Sequence, residues 1–248
     1  MIVLLIIGQF ELADSLYSRG YYDLATVEYQ RVLAIGPESL ATTQRRLELA
    51  RAMIRVRPGS GIAALTRLVD EEPGIKPRAH AIIADYFLSV GDYPAAASWL
   101  ETAGDPDRLG YALLHLHRPD LARAAFETTD DQTLITEIDR FQEEPRRSEV
   151  KAMVFSLVCP GAGEMYAGNI RLAATDFLLN AGSWYLLYNA LHHKKYVDAG
   201  LVISFLVNRF YFGSIHNARR SAAQANEKKY DRWLTAVERE YFKDRKIE

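Results

Sequence analysis

The sequence predicts an all-α fold: an array of helical hairpins, then a membrane-associated helical hairpin, then a C-terminal amphipathic helix. Three observations lead there. A spacing of small residue, glycine or proline, and small residue recurs through residues 9–140. Two mostly apolar segments follow within residues 150–217, each near the roughly 20 residues that a helix needs to cross a bilayer core. Residues 218–248 are highly charged, with apolar residues at helical spacing. Residues 141–149 are charged, contain Pro145, and read as a linker.

The chain has 248 residues, room for one large domain or two smaller ones. Thirty basic and 32 acidic residues give a net charge of −2, so the whole chain offers no reason to expect nucleic acid. Cys159 is the one cysteine, which excludes an internal disulfide. Residues 1–8 open on a short apolar run without the basic leading region of a secretory signal. They are either the remnant of a signal or the first turn of the first helix.

The repeat is clearest at Ala13, Gly20 and Ala25, closed by Pro37, and again at Ala84, Gly91 and Ala96. It returns more weakly at Ala112, Pro119 and Ala124. Gly20 and Pro119 are 99 residues apart, three steps of about 33. The intermediate unit has its turn at Pro58-Gly59-Ser60-Gly61, its small residue at Ala64 and its closing proline at Pro73. The physics is that of a helix–turn–helix. Small residues let two backbones approach, glycine or proline breaks the helix between them, and each unit buries its face on its neighbour.

On Ala13, Gly20, Tyr22, Ala25, Tyr29 and Pro37, then Ala84, Gly91, Tyr93 and Ala96, the chain resembles the tetratricopeptide repeat family over about residues 9–140. That resemblance implies a curved solenoid of four units whose concave face binds a protein or peptide, without catalysis.

In the apolar region, Asp176, Asn180 and Ser183 fall at i, i+4 and i+7, a polar stripe on one helix face. Gly200, Ser204, Asn208 and Tyr211 make a similar stripe in the next segment. Folding the two back near residue 194 brings Asn180 level with Asn208, and Asp176 within about a turn of Arg209. Unpaired polar groups are expensive in lipid, so the expectation is an Asn180–Asn208 contact and an Asp176–Arg209 pair. Aromatic residues gather toward the segment ends, as at membrane interfaces.

Ahead of the hairpin stands Pro160-Gly161-Ala162-Gly163-Glu164-Met165-Tyr166-Ala167-Gly168. It lacks the glycine spacing and preceding strand of a dinucleotide fingerprint, and the Gly-Lys-Ser/Thr ending of a phosphate loop. Pro160, Gly161, Gly163, Tyr166 and Gly168 resemble the turn motif of TM2-like membrane-hairpin proteins. With Phe177–Ala181 (Phe-Leu-Leu-Asn-Ala) and Gly213–Ala218 (Gly-Ser-Ile-His-Asn-Ala), they are more similar still to bacterial envelope proteins that join tetratricopeptide repeats to such a hairpin. Glu164 stands where that family usually has Gln. The resemblance implies an integral protein of the bacterial cell envelope, touching lipid through residues 150–217 and carrying no catalytic residues. Two crossings put array and tail on one side. A third, through residues 150–168, puts them on opposite sides, with the array periplasmic if residues 1–8 belong to a signal.

Candidates for chemistry are few. His115 and His117 point apart on a helix, and His192 and His193 share a loop with Lys194 and Lys195, without carboxylate or cysteine at ligand spacing. Cys159 sits in an apolar stretch where burial would make its thiol inert. No Ser/His/Asp arrangement is visible locally. The expectation is no enzyme, no cofactor and no metal, and a membrane-anchored scaffold. The runners-up are a small transporter-like or enzymatic membrane unit using the polar stripe, and a wholly soluble adaptor.

Overall fold

The computed structural model describes residues 2–35 and 42–243, with side chains from residue 10 onward. Among them every regular element is a helix. The chain divides into two units, Met1–Asp139 with Tyr241–Glu248, and Arg140–Glu240.

In the first unit, α1 (Ile2–Ser18) pairs with α2 (Tyr22–Ile35), α3 (Thr43–Val56) with α4 (Pro58–Glu71), α5 (Lys76–Ser89) with α6 (Tyr93–Ala103), and α7 (Pro106–His115) with α8 (Pro119–Glu127). The backbone of residues 2–8 is the start of α1. Pro37 lies outside the described residues. Gly20 (φ 81°) and Gly91 (φ 75°) make the first and third turns in the left-handed region that side chains avoid. Ala13, Ala25, Ala84 and Ala96 are all fully buried where paired helices approach.

The weaker units depart from the spacing. Pro58 to Gly61 do not form a turn. Pro58 takes the first position of α4, where its missing N–H costs nothing, and the chain reverses at Arg57. The close approach is at Gly61 rather than Ala64, since a Cβ on Gly61 would lie 2.4 Å from the Ile54 nitrogen. In the fourth unit the turn falls at His117 (φ 56°) and Pro119 opens α8. Ala122 and Ala125 are buried while Ala124 is exposed, and Gly110 supplies the gap that seats the Phe126 ring. The core of the Met1–Asp139 unit is aliphatic, with Leu47, Ile54, Leu65, Ile83, Leu100 and Leu114 essentially closed to solvent. Phe242 packs on the Tyr111 and Phe126 rings.

Helix α9 (Gln132–Glu143) takes in the first residues of the expected linker, leaving 144–148 non-helical before α10 (Glu149–Val158). Ser148 caps α10 by accepting from the Lys151 N–H. Next come α11 (Ala162–Tyr166) and α12 (Ile170–His192). At 23 residues, α12 is about 35 Å long. The chain turns at Lys194 (φ 56°) into α13 (Tyr196–Leu201). Helix α13 passes through a π-helical stretch, Val202–Val207, straight into α14 (Asn208–Val237). The expected start of a separate tail at residue 218 is therefore the interior of a continuous helix.

Among the described residues no helix is long and apolar enough to cross a membrane. The polar stripe of α12 and the π-helical interruption at Val202–Val207 are the physical reasons.

Candidate functional site

Among the described residues, the polar and charged side chains most closed to solvent lie in the second unit. Ser156, Glu164, Asp176, Asn180, Ser183, Ser214 and Ser221 are the buried polar residues among those described. They gather where α10, α11, α12 and α14 meet, and the glycine-rich motif builds that meeting point.

Helix α10 ends at Cys159, and Gly161 (φ 94°) reverses the chain into α11. Its N–H donates to Ser214 Oγ at 3.1 Å. A Cβ there would lie 2.5 Å from the Ala173 carbonyl oxygen. Gly163 is tighter: a Cβ would stand 2.0 Å from the Ala152 carbonyl oxygen and 2.6 Å from Ala218 Cβ. At this one glycine α11 therefore meets the backbone of α10 and the Ala218 methyl of α14. The Gly163 N–H donates to Ser156 Oγ at 3.0 Å, and Ser156 Oγ donates onward to Glu164 Oε2 at 2.8 Å.

Glu164 is closed to solvent at 0 % exposure. Its other carboxyl oxygen accepts from Ser214 Oγ at 3.5 Å, and its carboxyl is within hydrogen-bonding reach of Asp176. Asp176 also accepts from Asn217 Nδ2 at 3.0 Å. One turn further along α12, Asn180 Nδ2 donates to the Asp176 carbonyl (2.8 Å) and, across the interface, to the Phe210 carbonyl (3.2 Å). Its Oδ1 is buried without a hydrogen-bond partner.

The rest of the motif works at the other end of α11. Tyr166 Oη accepts from the Ser148 N–H at 3.1 Å, and its carbonyl accepts from Arg147 Nη1. Gly168 (φ 84°) makes the turn into α12, where Asn169 Oδ1 accepts from the Leu172 N–H at 3.3 Å. Pro160 is half-buried beside Gly161.

The structure thus joins Asp176 and Asn180 to the glycine motif, but it does not bring Asn208 or Arg209 to them. Both are exposed, and neither the Asn180–Asn208 contact nor the Asp176–Arg209 pair forms. The cause is the π-helical stretch just before them. Its wider turn breaks the 3.6-residue spacing, so the inward face of α14 is Ser214, Ala218, Ser221 and Ala222. Cys159 is exposed rather than buried, because α10 ends on the outer surface there. Sequence reasoning also missed Ser156, Ser214, Asn217 and the burial of Glu164. A small and polar stripe at 214, 217, 218 and 221 is visible at helical spacing, but it straddles the expected hairpin–tail boundary.

The outer surface of this unit is the reverse of its interior. Val154, Leu157, Val158, Phe177, Leu178, Trp184, Tyr185, Tyr188, Val197, Ile203 and Phe205 are all exposed.

The first unit offers a different candidate, a cleft of about 460 Å³ between α1 and α3 lined by Asp14, Tyr17, Arg45, Glu48 and Arg51. Arg45 lies 4.4 Å over the Phe10 ring, and Arg51 lies 4.9 Å over that of Tyr17. Tyr29 donates its hydroxyl to Asp14. Burial, then that acidic partner, pushes its phenol far above the usual range.

Among the described residues no group of three or more His, Cys, Asp or Glu stands close enough to hold a metal ion. No protein-family model, no curated protein and no solved structure matches the chain.

Proposed function

We propose that the chain is a non-enzymatic, membrane-anchored scaffold. In this reading the first unit is a tetratricopeptide-like array that binds a protein or peptide, and the second unit holds it in the bilayer. One observation carries the reading: along α10 to α13 and the start of α14, Ser156, Glu164, Asp176, Asn180, Ser183 and Ser214 are buried while Val154, Phe177, Leu178, Trp184, Tyr185, Ile203 and Phe205 are exposed. Water drives the opposite arrangement. In lipid, polar groups turn inward and pair, and small residues bring helices together. The alanines, serines and glycines at the α10–α11–α12–α14 junction fit that rule. The apolarity of α12 averaged around its axis understates what lipid would meet, because Asp176, Asn180 and Ser183 face inward.

The sequence resemblance favours the bacterial cell envelope as the place. The cleft between α1 and α3, with charged groups of both signs and stacked aromatic rings, suits a polar peptide segment. Carbonate extraction of membranes from cells making the full chain tests the anchor. Retention in the pellet is the expected result, and full release into the supernatant sinks it. Photo-cross-linking from Tyr17 in the full chain tests the array. A protein adduct is expected there and not from exposed Arg67 on α4.

A second reading is favoured by the buried Glu164–Asp176 pair, which would make the unit transporter-like or enzymatic, with a polar intramembrane site. It requires that Glu164→Gln, which keeps the shape and removes the acidic group, change activity without loss of stability.

A further inference from the structure

At the polar end of the second unit lies a cavity of about 860 Å³, a size typical of small-ligand sites. Arg147, Lys228, Lys229 and Arg232 line it. The one acidic residue of the lining, Glu144, is engaged by Lys229 at 2.8 Å, which holds its carboxyl below the usual range. The lining is therefore cationic overall.

Arg147 is fixed from several sides. Its backbone N–H donates to Asn226 Oδ1 at 2.8 Å and its carbonyl accepts from Asn226 Nδ2 at 2.9 Å. Its guanidinium is held by the Tyr166 carbonyl. Such a pre-ordered donor loses little freedom when it binds. Gly168 and Asn169 also line the cavity, so the positive end of the 23-residue α12 opens there. On another wall Trp233 stacks on Phe141 at 4.4 Å.

Position gives the ligand class. The exposed apolar surface begins directly beyond the rim, at Val150 on α10 (69 % exposed) and Ile170 on α12 (72 %). A phosphate held by Arg147 and the α12 N-terminus would have hydrocarbon-compatible surface on one side and charged surface on the other. Planar guanidinium groups and helix N-termini both favour phosphate oxygens.

We propose that this cavity binds the phosphate of an anionic phospholipid headgroup. This rests on the membrane reading above. The excess positive charge selects headgroups with net negative charge over zwitterionic ones, and the chain is thereby seated on one leaflet.

The test uses the full chain in detergent with Trp99 and Trp184 replaced by Phe, leaving Trp233 as reporter. Short-chain phosphatidylglycerol, short-chain phosphatidylcholine and inorganic phosphate are titrated separately. The expected result is saturable change with phosphatidylglycerol, at least tenfold weaker with phosphatidylcholine and with inorganic phosphate. Lys228→Gln with Arg232→Gln should weaken it at least tenfold while leaving far-UV circular dichroism and Tm unchanged. These two residues are the first choice because Arg147 also ties the fold together. Equal binding of inorganic phosphate would assign the cavity to a soluble phosphate and overturn the lipid source. Equal binding of both lipids, or no effect of the double variant, would overturn the site. Carbonate extraction separates the two claims: an unsubstituted chain that stays in the pellet but binds no headgroup selectively leaves the anchor standing and refutes the cavity, whereas release of the unsubstituted chain refutes the anchor.

Discussion

The two units use the same helical hairpin and opposite polarity. In the first, Leu65, Ile83, Leu100 and Leu114 are buried, and ion pairs such as Arg46–Glu71 and Arg31–Glu28 lie at the surface. In the second, Ser156, Glu164, Asp176 and Asn180 are buried among alanines, while Phe177, Leu178, Tyr185 and Val197 face out. The first unit is stabilised by removing apolar area from water. The second buries Phe141, Leu187, Leu234 and Val237 away from that polar junction, where alanines and glycines supply the buried apolar contact. At the junction of α10, α11, α12 and α14 its cohesion comes from the backbone contact at Gly163 and from the hydrogen bonds of Ser156, Glu164, Asp176 and Asn180.

The largest expected effect lies in the first unit. Leu100→Ala removes a fully enclosed side chain from among Ala84, Ala96 and Ala112 and should cost about 2–5 kcal/mol. Thermal unfolding followed by circular dichroism in detergent measures it. A loss well below that range would mean that this core is less tightly packed than described.

The next test sets one surface against the other. Leu178→Lys on α12 should cost about 2.5–3.5 kcal/mol in lipid if it sits near the bilayer centre. Leu24→Lys on α2, also exposed, should stay within about 0.5 kcal/mol. Unfolding of both variants in vesicles decides. Equal, small effects would break the comparison.

A third test reaches the interior of the second unit. Glu164→Leu strips Ser156, Ser214 and Asp176 of a shared partner and should cost about 1–3 kcal/mol. Glu164→Gln retains hydrogen-bonding capacity and should cost less. If Leu is tolerated as well as Gln, the polar network is not what holds the helices.

The smallest effect is at an exposed pair of the first unit. Arg123 donates to Asp139 and holds its carboxyl below the usual 3.8. A carboxylate with a depressed folded pKa contributes stability that is present above its unfolded value and lost as pH falls through the folded one. Acid titration of Tm should therefore show a slight additional fall below about pH 4, absent in Arg123→Gln and weakened by salt. Persistence of the fall in Arg123→Gln would assign it elsewhere.

The helical hairpins are legible in the sequence because Gly20 and Gly91 each mark a backbone that only glycine adopts easily, and the alanines around them mark close packing. The second and fourth units are less legible. Pro58 and Pro119 signal a helix start as readily as a helix break, and Gly61 and Gly110 carry the close approaches out of phase with the repeat. The turn at Lys194 is legible from its charged flanks. The inward face of α14 is not, because periodicity cannot be carried through the π-helical Val202–Val207. Asp176 and Asn180 stand out as polar residues in an apolar run. Glu164, Ser156 and Ser214 do not, since their meeting depends on Gly163 bringing α10, α11 and α14 together.

The most direct test of the inverted unit reads Trp184, exposed on α12 amid the apolar surface. With Trp99 and Trp233 replaced by Phe, the full chain is reconstituted into vesicles containing phosphatidylcholine brominated on its acyl chains. Strong quenching by bromine with little quenching by aqueous iodide is the predicted result. Free quenching by iodide and none by brominated lipid would contradict the account.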